Sequence, residues 1–356
     1  MDLEDRIGAI ATAAGHFPWL GDLRAPTISC WIELELGQAL NSTRPQEYGK
    51  QKYLISPLSP ILHIVSGNTP HAALQSLIRG ILIGARNWIK LPEEGLPEVE
   101  AFVGALSEEL RPDLASKLRP RWMEQAEAVV VFGSDETIQE ISRQILPSQR
   151  FVVHGHKISL GLISTECSSE LAGRIVHDLF AFDQLGCLSP QLFYVTGDSI
   201  RFARELAQYF EQNRSARVHS EPRHAIAAAL RAFREEWKFR AATEPDICFW
   251  ESREALDWAV VHDPSPRLAP NPLYGTIFIK PMPSDLPSAL LPMRRHIATV
   301  GLDLIDSESL KLAVGIGAQR VCAIGQMQRP PVTWHHDGQP TLANLIRYVD
   351  IEGLVI

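Results

Sequence analysis

Cys187 is the residue whose setting best fits a nucleophile. It stands in Gln184-Leu185-Gly186-Cys187-Leu188-Ser189-Pro190, after a helical pattern and before an apolar strand. A loop cysteine beside free backbone N–H groups can have a lowered thiol pKa, and Gly186 lets the backbone come close to a ligand. Most unpaired cysteines are small buried hydrophobes, so the loop setting alone leaves the two readings level. Asn68, in Ser66-Gly67-Asn68-Thr69-Pro70, can donate its amide to an oxyanion, although a turn residue before Thr69-Pro70 is the simpler reading. Lys90 closes an apolar strand and can reach a ribose or a phosphate; on its own, a solvated strand end is the commoner case. Gly133-Ser134 opens a helix behind another strand, which suits a pyrophosphate at a helix N-terminus or, more plainly, a serine N-cap.

Two histidine groups need weighing. His335-His336-Asp337 follows Trp334 in a loop bounded by proline and glycine, where adjacent residues cannot easily all face one ion. A packing or solvated loop is the expectation there, with no metal. His154 and His156 flank Gly155, and alternation along a strand puts both on one face, as acid–base groups or as structural ones. There is no Gly-x-Gly-x-x-Gly and no Walker A. Gly315 and Gly317 sit behind a helix, outside the strand-to-helix turn such a motif needs.

The elements that must position these residues alternate. Apolar runs at 61–66, 87–91, 127–133 and 151–155 read as strands, and helical patterns separate them. Continuous apolar strands between amphipathic helices mean a parallel sheet covered on both faces, with ligands at its carboxyl edge. A helix over about 168–182 leads to Cys187 and then to a strand at 192–195. Further helices are expected at about 199–213 and 222–238, and the proline-rich stretch 250–290 has no clear assignment. At the end come a helix at 307–315, a strand at 320–325 and a helix at 341–348. Residues 1–55 read as an N-terminal arm with two short amphipathic stretches.

Composition narrows the function classes. The 356 residues carry a net charge of −8, with 45% hydrophobic and 21% charged residues, as in a globular enzyme of two domains. Basic residues form no run, so nucleic acid and anionic lipid are poor partners. The acidic start lacks the basic and apolar segments of a secretory signal. The longest apolar candidate, 72–89, is interrupted by Arg79 and Arg86, so no membrane span is expected. Five widely spaced cysteines (Cys30, Cys167, Cys187, Cys248 and Cys322) without a Cys-x-x-Cys suit free thiols in a cytoplasmic protein.

Six segments taken in order resemble the acyl-CoA reductases related to bacterial bioluminescence, the LuxC type, within the aldehyde dehydrogenase superfamily. They are SGNTP (66–70), NWIKLPEE (87–94), VFGSDETI (131–138), HGHKIS (154–159), FDQLGCLSPQ (182–191) and VCAIGQMQRPPVTWHHDG (321–338). The resemblance implies an α/β, aldehyde dehydrogenase-like fold of two doubly wound parallel-sheet domains. It makes 56–166 the nicotinamide cofactor-binding domain and 167–330 the catalytic domain. Residues 331–356 become a tail returning to the cofactor domain or to an oligomer interface. Cys187 matches the acyl-accepting cysteine, and Asn68 matches the asparagine that forms the oxyanion hole with the cysteine N–H. Lys90 matches the lysine at the adenosine ribose, and Gly133-Ser134 the turn over the cofactor phosphates. The implied reaction reduces an acyl-CoA or acyl-protein thioester to the aldehyde. An acyl carrier protein or acyl-protein synthetase is an expected partner, and a homo-oligomer is expected.

Two departures shape the details. Dehydrogenases that hydrolyse the thioester carry a glutamate in the segment matching 151–157, where this chain has Val153 and no carboxylate. Without that base an acyl-cysteine survives to be reduced. The family usually takes NADPH, yet Glu93 follows Lys90 by three residues, and an acidic group there binds ribose hydroxyls and repels a 2′-phosphate. NADPH is placed first and NADH second. The chain is shorter than the luminescence enzymes. Two rival readings are a coenzyme A-acylating dehydrogenase working in the oxidative direction and a non-catalytic acyl-holding subunit.

Overall fold

Runs of apolar residues too long for one exposed face become strands buried on both sides, and this sets the architecture. The structure, a computed structural model, describes residues 1–37, 45–48, 51–67, 69–213, 224–253 and 255–352. The chain divides into two units, residues 1–156 with 329–356, and residues 157–328.

The first unit begins with α1 (Leu3–Ala14), α2 (Ala25–Leu36), β1 (Gln46–Tyr48) and β2 (Gln51–Pro57). Then β3 (Ile61–Ile64), α3 (Pro70–Leu82), β4 (Asn87–Lys90), α4 (Pro97–Ala105), β5 (Asp113–Ala115), α5 (Pro120–Gln125), β6 (Ala128–Phe132), α6 (Asp135–Ser142) and β7 (Arg150–His154) follow. Among the described residues β3 to β7 form one parallel sheet in the order β5-β4-β3-β6-β7. The winding reverses at β3, so a crevice opens at the carboxyl ends of β3 and its neighbours. Every residue of β3 and β6 is buried. Ile61, Ala128 and Val130 face a core built by α1, α2, α3 and α4. Leu62, Val129 and Val131 face a second core with Trp122, Met123 and Ile141. Both N-terminal helices thus belong to the unit's main core, through Ile7, Ile10, Ile28 and Trp31.

The second unit contains β8 (Ile158–Ile163), α7 (Ser169–Phe180), β9 (Pro190–Val195), α8 (Ser199–Gln212), α9 (His224–Thr243), β10 (Cys248–Glu251), β11 (Ala259–His262) and β12 (Thr276–Pro281). It ends with α10 (Leu286–Leu290), β13 (Ile297–Leu302), α11 (Ser307–Gly315) and β14 (Arg320–Ala323). The sheet order is β10-β11-β12-β9-β8-β13-β14, parallel except where β10 runs against β11. The helix expected from Pro222 is described from His224 onward; residues 222 and 223 lie outside the described residues.

One element differs in kind from its expectation. The segment 341–348, read as a helix, is a short 3-10 turn at Ala343–Leu345 followed by β15 (Ile346–Ile351). β15 pairs antiparallel with β2 from Ile346 opposite Pro57 to Ile351 opposite Lys52. Tyr348 packs against Tyr53 at 5.6 Å, and Arg347 pairs with Glu127 at 3.1 Å. Cross-strand partners decide the conformation over local propensity. Glu35 on α2 fastens the same return. Its carboxylate accepts the N–H groups of Thr341 and Leu342, both at 2.7 Å, and the indole N–H of Trp31 at 3.0 Å. Burial alone would raise the Glu35 pKa, but these bonds outweigh it and hold the group below the ordinary value. Among the described residues no helix is long and apolar enough to cross a membrane.

Candidate functional site

Cys187 lies in the second unit, in the loop between α7 and the amino end of β9, and it is exposed. The loop is held from below. Ser159 on β8 donates its hydroxyl to the Cys187 carbonyl at 2.7 Å and accepts the Thr299 N–H of β13 at 3.2 Å. Ser189 closes the turn by donating its N–H to the Gly186 carbonyl at 3.0 Å. Its hydroxyl meets the Gln328 amide at 2.7 Å, and the same amide donates to the Asp178 carbonyl at 3.1 Å. Asp178 is itself fully buried on α7, with its carboxylate accepting the Gly325 and Met327 N–H groups. Burial pushes the Asp178 pKa up despite those two bonds.

Upstream, the backbone turns left-handed at Phe182, Asp183 and Gln184, with φ of 53°, 52° and 62°. Gly186 is not one of the left-handed residues. Three consecutive side-chain-bearing residues there carry strain of about 1–2 kcal/mol each. Gln184 secures the turn with all four valences of its amide. Its Nε2 donates to the Pro190 carbonyl at 2.9 Å and the Thr276 carbonyl at 2.8 Å. Its Oε1 accepts the Gly275 N–H at 2.9 Å and the Thr276 N–H at 3.1 Å. Gly275 has φ +77°, and a Cβ there would meet the Asp257 carbonyl at 2.4 Å, so only glycine lets this second turn approach Gln184.

Of the other four thiols, Cys30 on α2 is exposed as well, and Cys167, Cys248 and Cys322 are partly buried. Burial pushes Cys167 up to about 12 and Cys322 up to about 11, leaving both as neutral, unreactive thiols near pH 7. Cys187 alone joins exposure to a place in a loop, outside any helix or strand, whose backbone is held by named bonds. That is the arrangement a nucleophile needs.

In the first unit, Lys90 and Gly133-Ser134 stand at the carboxyl ends of β4 and β6 in the same sheet. Beyond Lys90 opens a cleft of about 360 Å³ lined by Pro92, Glu93, Glu94, Glu100 and Ser116. Gly133 donates its N–H to the His154 carbonyl at 3.2 Å, across from β6 to β7. Ser134 caps α6, accepting the Thr137 N–H at 3.3 Å, so the N-cap half of its two readings is realised. Asp135 and Glu136 follow in the first turn, and Asp135 accepts the His156 N–H at 3.2 Å. Asn68 lies outside the described residues. Val153 sits on β7 opposite Val131.

Sequence spacing gave no hint of what His154 does. It is buried, and its Nδ1 lies 2.7 Å from Asp337 Oδ2, a pairing across 183 residues. Its ring stacks on Phe132 at 4.4 Å, and His336 covers it at 4.3 Å, with Trp334 stacked on His336 at 4.6 Å. His156 lies beyond the end of β7 and is exposed, so the two histidines do not share a strand face. The ligand atoms of His154, His336 and Asp337 lie within 4.8 Å of one another. Two features oppose a cation there. The imidazoles lie face to face, 32° apart, where coordination needs both rings edge-on to the ion. The buried guanidinium of Arg79 lines the same small cavity, its pKa brought down to about 10 by burial. The geometry is that of an aromatic stack closed by a His–Asp pair.

Known proteins resemble this chain in sequence and in fold. The family model described as "Acyl-CoA reductase (LuxC)" matches residues 23–348. The long-chain acyl-protein thioester reductase 2 of Photobacterium leiognathi is 24% identical over 322 residues, covering 83% of this chain and 64% of its own length. The long-chain acyl-protein thioester reductase of Aliivibrio fischeri is 24% identical over 320 residues, with the same two coverages. The chain therefore spans 64% of the length of these curated relatives. Among solved structures, aldehyde dehydrogenase 21 from Physcomitrella patens, in complex with the reaction product succinate, superposes with a TM-score of 0.70. It is 12% identical, over 99% of this chain and 86% of that one. The NADP-dependent glyceraldehyde-3-phosphate dehydrogenase of Bacillus halodurans C-125, complexed with NADP, gives a TM-score of 0.68 at 14% identity, over 99% and 87%. These likenesses establish an aldehyde dehydrogenase-like α/β fold, as the six segments implied. Through its matched residues, the chain belongs to the acyl-CoA reductase (LuxC) family.

Proposed function

We propose that this chain reduces an acyl thioester to an aldehyde with a reduced nicotinamide cofactor, through an acyl group carried on Cys187. The observation that carries the reading is the exposed Cys187 on a loop fixed by Gln184, Ser159 and Gln328. The first unit fits the cofactor. A crevice at the winding reversal, a cleft beyond Lys90, and a glycine–serine turn opening α6 are what a dinucleotide requires. Lys90 and Glu93 would hold the adenosine ribose, and Gly133-Ser134 the phosphates. Asp135 and Glu136 weaken the pull of that helix end on an anion. Three carboxylates, Glu93, Glu94 and Glu100, surround the cleft and disfavour a 2′-phosphate, which puts NADH ahead of NADPH.

In the first step the Cys187 thiolate attacks the thioester carbonyl, and Asn68 with the Cys187 N–H stabilises the oxyanion. The C–S bond to the carrier breaks, and the carrier thiolate leaves and takes a proton. A reduced nicotinamide held by Lys90, Glu93 and Gly133-Ser134 would supply hydride for the acyl carbon. The thiohemiacetal oxyanion that results re-forms the carbonyl as its bond to Sγ breaks, and aldehyde leaves with the Cys187 thiolate restored. The donor is a thioester of coenzyme A or of a protein such as an acyl carrier protein or acyl-protein synthetase, and five cysteines without a disulfide are in keeping with a reducing compartment.

The direction rests on water being left unactivated. Val153 offers no base, and the Nδ1 of His154 is committed to Asp337 in the buried stack. General-base help is worth roughly a hundred- to ten-thousandfold, so an acyl-enzyme made without cofactor should outlast many turnover times. Intact-mass analysis after incubation with acyl-CoAs follows the acyl-enzyme, and adding NADH or NADPH should discharge it as aldehyde. Rapid release of free acid without cofactor would refute the reductive reading. A Val153→Glu variant should open that hydrolytic leak.

A further inference from the structure

The stack around His154 ends at the turn assigned to the cofactor phosphates. His154 is the last residue of β7, and it grips three partners at once. Its carbonyl takes the Gly133 N–H at 3.2 Å, its ring lies on Phe132 at 4.4 Å and 15°, and its Nδ1 meets Asp337 at 2.7 Å. Two residues on, the His156 N–H reaches Asp135, and a Cβ on Gly155 would meet that same Asp135 carboxylate at 2.8 Å. Residues 133–135 and 154–156 are therefore laced together from both sides. The lacing has one buried anchor, because Asp337 arrives on the returning segment, with φ 55° in the tight turn 336–338.

We infer that Asp337 is a positioning residue that acts through His154 to hold the Gly133-Ser134 turn in its cofactor-binding geometry. The inference rests on the proposed function's placing of the phosphates at that turn. A carboxylate on Nδ1 fixes the tilt of the imidazole, since both are buried and the bond is charge-assisted or strongly polarised. The fixed ring sets the height of Phe132 and of the His154 carbonyl, and Gly133 follows both. Release of the ring would let the turn relax by a few tenths of an ångström, enough to misplace N–H groups aimed at a phosphate. Asp337 belongs to the unit that carries the Gly133-Ser134 turn and Cys187 to the other, so its effect is expected in cofactor affinity.

The test compares wild type, Asp337→Ala, Asp337→Asn and His154→Gln as full-length chains. The measurements are fluorescence titration with NADH and with NADPH, acyl labelling of Cys187 without cofactor, and amide exchange of the peptide covering 132–135. For Asp337→Ala, the inference expects the dissociation constant of the preferred cofactor to rise about tenfold or more, the loss of one buried polar bond. Exchange at 132–135 should quicken while acyl labelling stays at the wild-type rate. Asp337→Asn tolerates the left-handed turn and keeps an acceptor for Nδ1–H, so it should recover most of the affinity. Cofactor affinity and exchange unchanged in a folded Asp337→Ala overturns the inference. So does an equal fall of labelling and affinity with no rescue by asparagine, which marks a merely structural residue. Failure of the wild-type chain to bind either nucleotide refutes the proposed cofactor itself, a result read before any variant is compared.

Discussion

Replacing Gln184 by leucine tests whether the reactivity of Cys187 depends on the amide beneath its loop. The side chain is fully buried and of similar volume to leucine, so the change removes four hydrogen bonds and little packing. The Thr276 carbonyl keeps the Asn271 amide at 3.0 Å, and the Thr276 N–H keeps the Leu273 carbonyl at 3.1 Å. The Gly275 N–H and the Pro190 carbonyl lose their side-chain partner. Two buried polar groups left unsatisfied cost about 2–6 kcal/mol together. For a domain of this size that lowers Tm by roughly 5–20 °C. Without the amide, the left-handed run at 182–184 loses four bonds that offset its strain, so the loop relaxes and Cys187 loses its fixed position. Thermal unfolding and peptide-resolved iodoacetamide labelling of Cys187 should therefore fall together. Gln184→Glu should be worse, because a carboxylate would face the Pro190 and Thr276 carbonyls. A leucine variant within about 1 kcal/mol of wild type that labels Cys187 at the wild-type rate would refute this account.

Other outcomes follow from the same geometry. Cys187→Ala should abolish acyl labelling and aldehyde formation, whereas Cys167 and Cys322 should resist alkylation in the folded protein near pH 7 and be replaceable singly. Asn68→Ala should bind cofactor yet turn over roughly a hundredfold more slowly, as for loss of one oxyanion donor, and a near-normal rate would remove Asn68 from that role. His63 is fully buried between Ser76 and Asn87, and burial brings its pKa down to about 4. The unfolded chain binds that proton first, so stability should be lost as pH falls from about 6.5 to about 4, by about 3 kcal/mol in all. Urea midpoints across that window should show a shallower slope in His63→Gln.

Much of the first unit was legible because its strands are buried on both faces. Ile61–Ile64 and Ala128–Phe132 have no polar face to disguise them, and their turns carry Lys90 and Gly133-Ser134 to one edge. β8 went unassigned, since only residues 155–157 separate it from β7 and no helix intervenes as the alternating pattern requires. β12 lay inside proline-rich sequence, and β15 took its form from β2. The site was legible only where one residue sufficed. Cys187 stood out as a candidate by its loop, which alone left its two readings level, but the amide of Gln184 works on Thr276, the amide of Gln328 on Asp178, and His154 on Asp337. Their separations of 92, 150 and 183 residues leave no local pattern. A buried polar group advertises its type in the sequence and conceals its partner.

The return of the chain to β2 also sets an order of events during synthesis. On the ribosome, Glu35, Trp31 and β2 emerge long before Thr341, Leu342 and β15, with the whole of residues 157–328 made in between. The second unit is one uninterrupted segment, and its sheet can close while translation continues. The first must wait with an unpaired strand edge and an uncovered apolar face until its last strand is released. That interval exposes the nascent chain to aggregation, and holdase binding should concentrate on residues 1–57 and end when β15 pairs with β2.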